Sequence, residues 1–555
     1  MVILQPQSEF GHAPPPQTPY SVITNIPGWD VAKAIRDGDH APMQRIVHIY
    51  PRFVPMHFAA QLGHEISKHV GHGDKAALVY LNPAIWPYTL RHITHDNRGE
   101  NRMKPEDIKL KCVDIGGHRV YAILTDPMTM PVMMLTWQNP GLGISIRGAE
   151  DLLKDIDTIK EVPFEAEQGV IPLPTWVPES QPHEDIRKRI VELLHRAPVD
   201  ADKVKCTTSD VFLYTTGMAS IFHATDLFTT HRPGTAVILG VIFHNTYHHL
   251  IEESPRGMKH FGKVDDEGLS VFEDWLKEEK KEGRPISYVF VEVPGNPTLD
   301  TPDTPRLKKL SEEYGFFLIV DDTISGFANI DVLAHADLLL SSLTKSFSGQ
   351  ANVMGGSIVL NPLSSHYQTI QPLFKETHHN ELFASDAEVL LSNSSDFLER
   401  TKILNRNALA MANFLHEATS LPDSPVVNVQ YPYLLASKTK HDALLRRGTP
   451  ELPEPGYGCL LTVEFTNVET ATAFYNKAGF YPSPHFGGHV TIMFAYNMVV
   501  FGKKPEEKAY MHELGVREAS VRISAGLENE EDLIDSLRDA LQAATQVKKG
   551  LANGH

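Results

Sequence analysis

The sequence predicts an α/β protein with a large, mostly parallel sheet and a smaller C-terminal α+β domain. Two largely apolar runs, at 316–320 and 336–340, are typical of strands buried on both faces of a parallel sheet. A third apolar run covers 236–242. The chain has 555 residues, more than one core usually holds, so we expect two or three domains.

Composition and charge indicate which partners and which compartment to expect. The net charge of −18 argues against nucleic acid and anionic membrane surfaces as partners. No apolar run approaches the roughly 20 residues of a membrane span, and residues 1–6 lack the features of a signal peptide. Three widely spaced cysteines, Cys112, Cys206 and Cys459, suggest a reducing compartment, so we expect a cytoplasmic protein.

The N-terminal part, 1–70, is predicted to be an arm and interface segment. Residues 1–20 are rich in proline and polar residues, which favours a loosely ordered arm. Pro51 excludes Tyr50 from the helical region, so the chain is extended there. Residues 57–70 have the pattern of an amphipathic helix.

Residues 71–200 form a long segment before the next motif. They contain the strand-like runs 76–80 and 118–124. Composition assigns this segment no function. We expect it to pack as an added layer on the large domain.

Lys345 lies just beyond the predicted strand at 336–340. Desolvation lowers a lysine's pKa, and the neutral amine is the nucleophilic form. Ser342 and Thr344 alternate with Leu343, so both hydroxyls can face one way and hold a phosphate. Taken alone, the same pattern also fits a surface lysine at a strand end.

Asp321 follows the predicted strand at 316–320, where open α/β sheets bind ligands. It precedes Lys345 by 345 − 321 = 24 residues. An acid that holds a pyridinium nitrogen, followed by a lysine that holds an aldehyde, is the layout of a pyridoxal-phosphate (PLP) site. The alternative is that Asp321 caps the following turn.

Lys345 in Ser-Leu-Thr-Lys, followed by Gly349 and Gly355-Gly356, resembles the Cys/Met-metabolism group of PLP enzymes. That group includes cystathionine gamma-synthases, cystathionine lyases and methionine gamma-lyases, and the likeness is strongest to the long fungal cystathionine gamma-synthases. The resemblance implies fold-type I, as in aspartate aminotransferase. It places a PLP-binding large domain at 201–415 and a small C-terminal domain at 416–555.

Tyr50 and Arg52 match a Tyr-x-Arg pair of this family. By resemblance, the pair reaches across a dimer interface to the phosphate of the neighbouring subunit's cofactor. Arginine suits phosphate because its fork can bind two oxygens. We therefore expect a homodimer or homotetramer with shared active sites. The tripeptide alone would fit a surface arginine beside a core tyrosine.

Gly217 and Met218 resemble the family's turn-to-helix segment, whose backbone N–H groups bind the cofactor phosphate. A glycine turn at a helix N-terminus is an anion site. Thr215 or Thr216 could equally cap a helix that starts here, and the two interpretations are compatible.

Phe243 stands where the family usually has a tyrosine whose ring stacks on the pyridine. Phenylalanine would keep the stacking and lack the hydroxyl. Either Tyr247 or Lys345 then handles the proton, or the reaction differs from the usual one. Alternatively, the register is wrong and Phe243 belongs to the core.

Two further matches concern the cofactor and the substrate. By resemblance, Asn296 would bond to the cofactor's 3′-oxygen, and Arg522 would hold the α-carboxylate of an amino acid. A salt-bridged strand arginine is the alternative for Arg522. His485 stands where a serine is common, which leaves substrate specificity open.

The resemblance implies a PLP-dependent transferase that performs γ-replacement on an O-acylated L-homoserine. With L-cysteine the product is cystathionine, a transsulfuration step of methionine biosynthesis. Three alternatives remain: another carbon, nitrogen or sulfur nucleophile in specialised metabolism, a γ- or β-lyase, and a catalytically silent relative. The scattered histidines, including the pair His248-His249, predict no metal site.

Overall fold

A computed structural model describes residues 4–164 and 170–553. Residues 1–3 of the predicted arm, 165–169 of the predicted insertion and 554–555 lie outside the described part. The helices, in chain order, are α1 (Trp29–Asp37), α2 (His40–Met43), α3 (Phe58–His69), α4 (Ile85–Thr94), α5 (Met130–Gln138), α6 (Ile146–Lys154), α7 (Gln181–His195), α8 (Gly217–His231), α9 (His244–Glu252), α10 (Asp266–Lys281), α11 (Thr304–Tyr314), α12 (Gly326–Asn329), α13 (Tyr367–Thr377), α14 (Ala384–Asn393), α15 (Phe397–Ala418), α16 (Lys438–Asp442), α17 (Val468–Lys477), α18 (Tyr496–Phe501), α19 (Pro505–Glu513) and α20 (Glu530–Asn553).

The segment that follows α3 folds into its own antiparallel sheet of order β1-β3-β2-β4. Its strands are β1 (Ala76–Tyr80), β2 (Ile108–Ile115), β3 (His118–Thr125) and β4 (Lys160–Glu161). Both strand-like runs expected here are strands. Their apolar side chains join the core beneath α8, so this sheet packs on the large domain.

The central sheet has seven strands in the order β5-β11-β10-β9-β8-β6-β7. They are β5 (Val211–Tyr214), β6 (Thr235–Leu239), β7 (Met258–Phe261), β8 (Ile286–Glu292), β9 (Phe317–Asp321), β10 (Leu338–Ser342) and β11 (Gly356–Leu360). Strand β11 runs in the direction opposite to the other six strands, which are parallel to one another. Every residue of β8 and β9 is buried, which explains their continuous apolar runs.

The C-terminal part has a five-stranded sheet of order β12-β13-β16-β15-β14, backed by α15, α17 and α20. Its strands are β12 (Val426–Gln430), β13 (Leu460–Phe465), β14 (Tyr481–Pro482), β15 (Ile492–Phe494) and β16 (Ser520–Ser524). The three sheets fall within the predicted ranges 71–200, 201–415 and 416–555, and the boundaries themselves stay a prediction.

One local prediction differs from the structure. Residues 4–20 contain no helix or strand, as expected, but they are held on the body of the protein: the Gln7 amide donates to the Tyr481 hydroxyl, and the Gly11 amide donates to the Asn25 carbonyl. Among the described residues, no helix is long and apolar enough to cross a membrane.

Candidate active site

A cavity of about 1130 Å³ opens at the carboxyl ends of β5, β6, β8, β9 and β10. Open α/β sheets bind ligands at this edge. The C-terminal sheet closes the cavity through residues of β15 and β16. The predicted site residues that line it are Tyr50, Arg52, Gly217, Met218, Phe243, Asn296, Asp321, Ser342, Lys345 and Arg522.

Lys345 lies in the turn after β10 with its amine buried at the cavity wall. Its Nζ is 3.1 Å from Nδ1 of His485. Burial lowers the pKa of the Lys345 amine well below its usual value, and the charges of Arg52 and Arg522 lower it further. Burial also lowers the pKa of His485. Both shifts favour the neutral form of the group, and the neutral form of a lysine amine is the nucleophile.

In the cofactor-free protein we expect Lys345 to react with an amine reagent at neutral pH, where ordinary lysines are protonated. Arg52→Gln removes a positive charge, so the pKa of Lys345 rises and its labelling curve moves to higher pH. Peptide mass spectrometry after pulse labelling across a pH series measures this. Arg102→Gln, on the exposed side of the insertion, should leave the curve in place. A curve that does not move in Arg52→Gln contradicts the assignment.

Two buried carboxyl groups lie side by side at the ends of adjacent strands. Glu292 on β8 pairs in register with Asp321 on β9. Burial raises the pKa of Asp321 to about 6, and burial with the Asp321 charge raises the pKa of Glu292 well above its usual value. The Phe243 amide donates to Glu292 at 2.8 Å. Glu292 is thus the neutral member of the pair.

The acids and bases of the cavity fit PLP. Asp321 also caps the turn after β9, since one carboxylate oxygen accepts from the amide and hydroxyl of Thr323, at 2.9 and 2.5 Å. Within the described ranges no cation forms an ion pair with Asp321. A pyridinium N–H would supply that positive partner, and Lys345 offers an amine to the aldehyde.

The turn before α8 provides a place for the phosphate. Thr216 caps α8 by accepting from the Ala219 amide at 2.9 Å, so the preceding amides of Gly217 and Met218 begin the helix at the cavity wall. Such first-turn amides have no partner within the helix. A Cβ on Gly217 would lie 2.8 Å from the Cβ of Ser342.

Gly217→Ala should weaken cofactor binding about tenfold, because β10 and the phosphate turn would have to separate. Titration of the apoenzyme with PLP measures the dissociation constant. Gly73→Ala is the matched control, since its Cβ would meet only the Cα of Lys68 at 3.8 Å. Equal affinities for the two variants would contradict the proposed cradle.

Ser342 lines the cavity, but the structure does not bring Thr344 to it. The Thr344 hydroxyl donates to the Gly355 carbonyl at 3.2 Å and accepts from the Gly355 amide at 3.1 Å. Strand β10 ends at Ser342, so the alternation of side chains does not extend to Thr344. Thr344 fixes the lysine turn against the start of β11.

Arg522 on β16 points a buried guanidinium into the cavity. It donates to Asn296 Oδ1 at 3.1 Å, and its Cζ lies 4.1 Å from the Tyr496 ring centroid. Burial lowers the pKa of Arg522 to about 10, so it stays charged. In the described part of the chain, no carboxylate forms a salt bridge with it. A carboxylate ligand would complete its hydrogen bonds.

Phe243 lines the cavity at the N-terminus of α9, as expected for a ring that covers the cofactor. Its ring centroid is 5.3 Å from the Arg52 guanidinium. Tyr247, one turn later, also lines the cavity, and burial raises the pKa of its hydroxyl to about 12. The structure adds a nearer candidate for proton transfer, His485, which touches the Lys345 amine.

Sequence reasoning missed three residues of the site. Glu292 and Tyr496 were assigned no role from the sequence, and His485 was expected only to affect substrate specificity. Glu292 and Tyr496 follow apolar stretches at 286–291 and 492–495, which is a signal for a cavity edge. The contact of His485 with Lys345 spans 140 residues and carries no sequence signal.

A histidine cluster lies at the cavity mouth, contrary to the expectation that His248 lacks partners. Ligand atoms of His244, His248 and Glu507 lie within 4.8 Å of one another. Burial lowers the pKa of His244 well below its usual value, and the charges of His248 and Lys504 lower it further. The positive charge of Lys504 also opposes a cation here. We interpret the His248–Glu507 contact at 3.0 Å as a link between α9 and α19.

The profile of the Cys/Met metabolism PLP-dependent enzyme family matches residues 205–542. The chain belongs to this family. It is a PLP-dependent enzyme of the cystathionine gamma-synthase and lyase type. The matched residues begin just before β5 and end in α20, so they cover the central and C-terminal sheets.

Two relatives differ in how much of the chain they match. The alanine racemase of Aspergillus violaceofuscus is 29% identical and covers 98% of this chain and 98% of its own. The cystathionine gamma-synthase of Saccharomyces cerevisiae is 33% identical over 60% of this chain and 54% of its own. The match to the Aspergillus protein therefore also includes most of the residues before 205, where the family profile begins.

Among solved structures, the fold is similar to that of cystathionine gamma-synthase from Xanthomonas oryzae, in complex with aminoacrylate and cysteine. The TM-score is 0.52 and the identity 21%, over 66% of this chain and 87% of that chain. The likeness shows the fold, and together with the family match it confirms the predicted fold-type I class.

Proposed function

We propose that the chain catalyses γ-replacement on an O-acylated L-homoserine, with L-cysteine as the nucleophile and cystathionine as the product. One observation carries the proposal. The cavity that holds the Lys345 amine, whose burial favours its neutral form, also holds the charged Arg522, which has no carboxylate partner in the described ranges. An amino acid bound through its carboxylate would thus meet a base.

The residues divide the work as follows. Arg522, held by its bond to Asn296, binds and orients the α-carboxylate. Asn296 would bond to the cofactor's 3′-oxygen, and Asp321 would hold the proton of the pyridine nitrogen. Bound PLP supplies an electron sink for bonds at the substrate's Cα. Lys345 removes the Cα proton and then moves protons at Cβ. The Cγ–O bond breaks and the acyl group leaves as a carboxylate. The thiol loses its proton as its sulfur forms the Cγ–S bond, and Lys345 returns protons to Cβ and Cα.

The size of the cavity supports a reaction with two substrates. Ligand sites commonly measure about 300–1,000 Å³, and this one reaches about 1130 Å³. It extends from Lys345 past Phe243 to Lys504 and Tyr510. That leaves room for a nucleophile beside the cofactor and the first amino acid.

Assembly and compartment are part of the same proposal. A homodimer or homotetramer follows from the resemblance to the family. The three cysteines are free and buried, which suits the reducing cytoplasm.

Product analysis tests the proposal. Cofactor-loaded enzyme is given O-acetyl- or O-succinyl-L-homoserine, with and without L-cysteine, and products are separated by chiral chromatography and mass spectrometry. Cystathionine that forms only with cysteine supports the proposal. A 2-oxo acid and ammonia with or without cysteine would instead indicate a lyase.

A different nucleophile is the first alternative, and two residues favour it. Phe243 lacks the usual hydroxyl, and His485 replaces a small serine next to Lys345. Release of the acyl group without cystathionine would direct the search to carbon, nitrogen or other sulfur nucleophiles.

Racemisation at Cα is the second candidate. It is favoured by the relative named alanine racemase, which matches the chain over 98% of its length. Racemisation needs one proton removed and one returned on the opposite face, with no leaving group at Cγ. Formation of D-alanine from L-alanine, in the same chiral assay, would support this candidate over γ-replacement.

A further inference from the structure

We propose that His485 is a second proton carrier of the site. It receives the proton that Lys345 takes from the substrate's Cα, so that Lys345 can go on to remove a proton from Cβ. The inference rests on the proposed γ-replacement and deepens it, because it says where the first of the two protons is held. It concerns two side chains of one chain that lie in contact in the structure.

The need for a second carrier follows from the number of protons. In γ-replacement one proton leaves Cα and another leaves Cβ before the Cγ–O bond breaks. The neutral amine of Lys345 has one lone pair, so it holds one of these protons at a time. The first proton must therefore pass from the amine to another group before the second is removed.

His485 is placed to receive that proton. Its Nδ1 lies 3.1 Å from Nζ of Lys345, and this is the only hydrogen bond of the amine to a described residue. The imidazole is 2% exposed, and its Nε2 is buried without a hydrogen-bond partner in the described part of the chain. His183, by contrast, uses both ring nitrogens, on Ser180 and on the Leu382 carbonyl. The imidazole of His485 can thus accept and return a proton at Nδ1.

The loop that carries His485 is fastened beside the lysine turn. The Gly487 amide donates to the Ser524 hydroxyl on β16 at 2.9 Å. Gly487 has φ +73, and a Cβ there would lie 2.6 Å from the backbone nitrogen of Ser346. Before the histidine, the Ser483 amide donates to a carbonyl of β15 at 2.9 Å. Bonds on both sides of the loop therefore hold the imidazole at the amine.

A bound substrate changes the charges around His485. Burial lowers the pKa of His485 well below its usual value, and the charges of Lys345 and Arg522 lower it further. A substrate carboxylate on Arg522 offsets one of these charges and so favours the protonated imidazole. His485 therefore becomes a stronger base when an amino acid occupies the site.

No proton is gained or lost in the transfers. Nζ of Lys345 takes the proton as the Cα–H bond breaks, and the ammonium passes a proton to Nδ1 of His485, which becomes an imidazolium. The regenerated amine then takes the Cβ proton. After the Cγ–S bond forms, the amine returns its proton to Cβ, and the proton from His485 reaches Cα by way of Nζ.

Proton exchange at two carbons of one substrate tests the assignment. His485→Asn keeps a hydrogen-bonding side chain beside the amine but cannot take up a proton. With L-2-aminobutyrate in D₂O, we expect this variant to exchange Cα, while the ratio of Cβ to Cα exchange falls by at least about 100-fold. A merely misplaced Lys345 would slow both exchanges together. A ratio equal to that of the wild type, whether both rates stay or fall together, would overturn the proposal.

Two comparisons make the result specific. His366→Asn is the matched control and should keep the wild-type ratio, because His366 packs on Phe317 at the end of β9 opposite to the cavity. If His485→Asn does not take up PLP, His485→Gln is measured in its place. Absence of Cβ exchange in the wild type would contradict γ-replacement itself, whereas Cβ exchange that survives in the variant would contradict only the role of His485.

Labelling of the cofactor-free protein gives a readout that does not depend on turnover. His485→Phe removes the hydrogen-bond acceptor of the Lys345 amine. Because an ammonium donates a stronger hydrogen bond than a neutral amine, the pKa of Lys345 should fall and its labelling curve should move to lower pH. His366→Asn should leave the curve in place. A curve that also stays in place in His485→Phe would overturn the contact on which the proposal rests.

Discussion

Lys345→Ala abolishes covalent attachment of PLP, and turnover falls by at least about 1,000-fold. The loss combines the attachment point with the base that moves protons at Cα, and general acid–base catalysis alone contributes about 10²- to 10⁴-fold. Borohydride reduction followed by peptide mass spectrometry detects the attachment, and steady-state kinetics gives kcat.

Lys402→Ala is the matched control, because Lys402 lies on an exposed position of α15. That variant should keep both the cofactor adduct and the turnover of the wild type. An adduct that maps to another lysine in Lys345→Ala, or turnover within tenfold of wild type, would refute the assignment of the base.

Arg522→Ala raises KM for the amino-acid substrate by at least about 100-fold while PLP stays attached to Lys345. Losing one partner of a buried, hydrogen-bonded ion pair costs about 2–5 kcal/mol, and here the second partner is the substrate's carboxylate. Arg522→Lys keeps the charge without the fork that binds two oxygens, so we expect an intermediate KM. Initial rates over a substrate series measure all three enzymes.

Arg517→Ala controls for the loss of a cation close to β16. Arg517 is half exposed and pairs with Glu464 at 2.6 Å, outside the cavity lining. The pair does not line the cavity, so KM should stay within about threefold. If Arg522→Ala and Arg517→Ala change KM equally, the carboxylate is bound elsewhere.

The sequence predicted the central sheet well because its strands are buried on both faces. The apolar runs at 316–320 and 336–340 became β9 at Phe317–Asp321 and β10 at Leu338–Ser342, displaced by one or two residues. Strand ends are set by hydrogen bonds to neighbouring strands, which apolar runs do not report. The order of the strands in the sheet and their packing could not be predicted from the apolar runs.

The buried strands also allowed part of the site to be predicted from the sequence. Asp321 and Lys345 were found because each closely follows a buried strand, at the edge where ligands bind. Thr344 was misplaced because β10 ends two residues earlier. The location of Arg52 depends on α5, with Trp137 joined to Pro51 across 86 residues, and local patterns cannot show such a contact.

Hydrogen exchange at the substrate tests the central claim, that Lys345 moves protons at both Cα and Cβ of an amino acid bound on Arg522. The holoenzyme is incubated with L-2-aminobutyrate, which has no leaving group, in D₂O and followed by proton NMR. The account predicts deuterium at Cα and Cβ, and none in Lys345→Ala. Deuterium at Cα alone, or none at all in the wild type, would contradict γ-replacement.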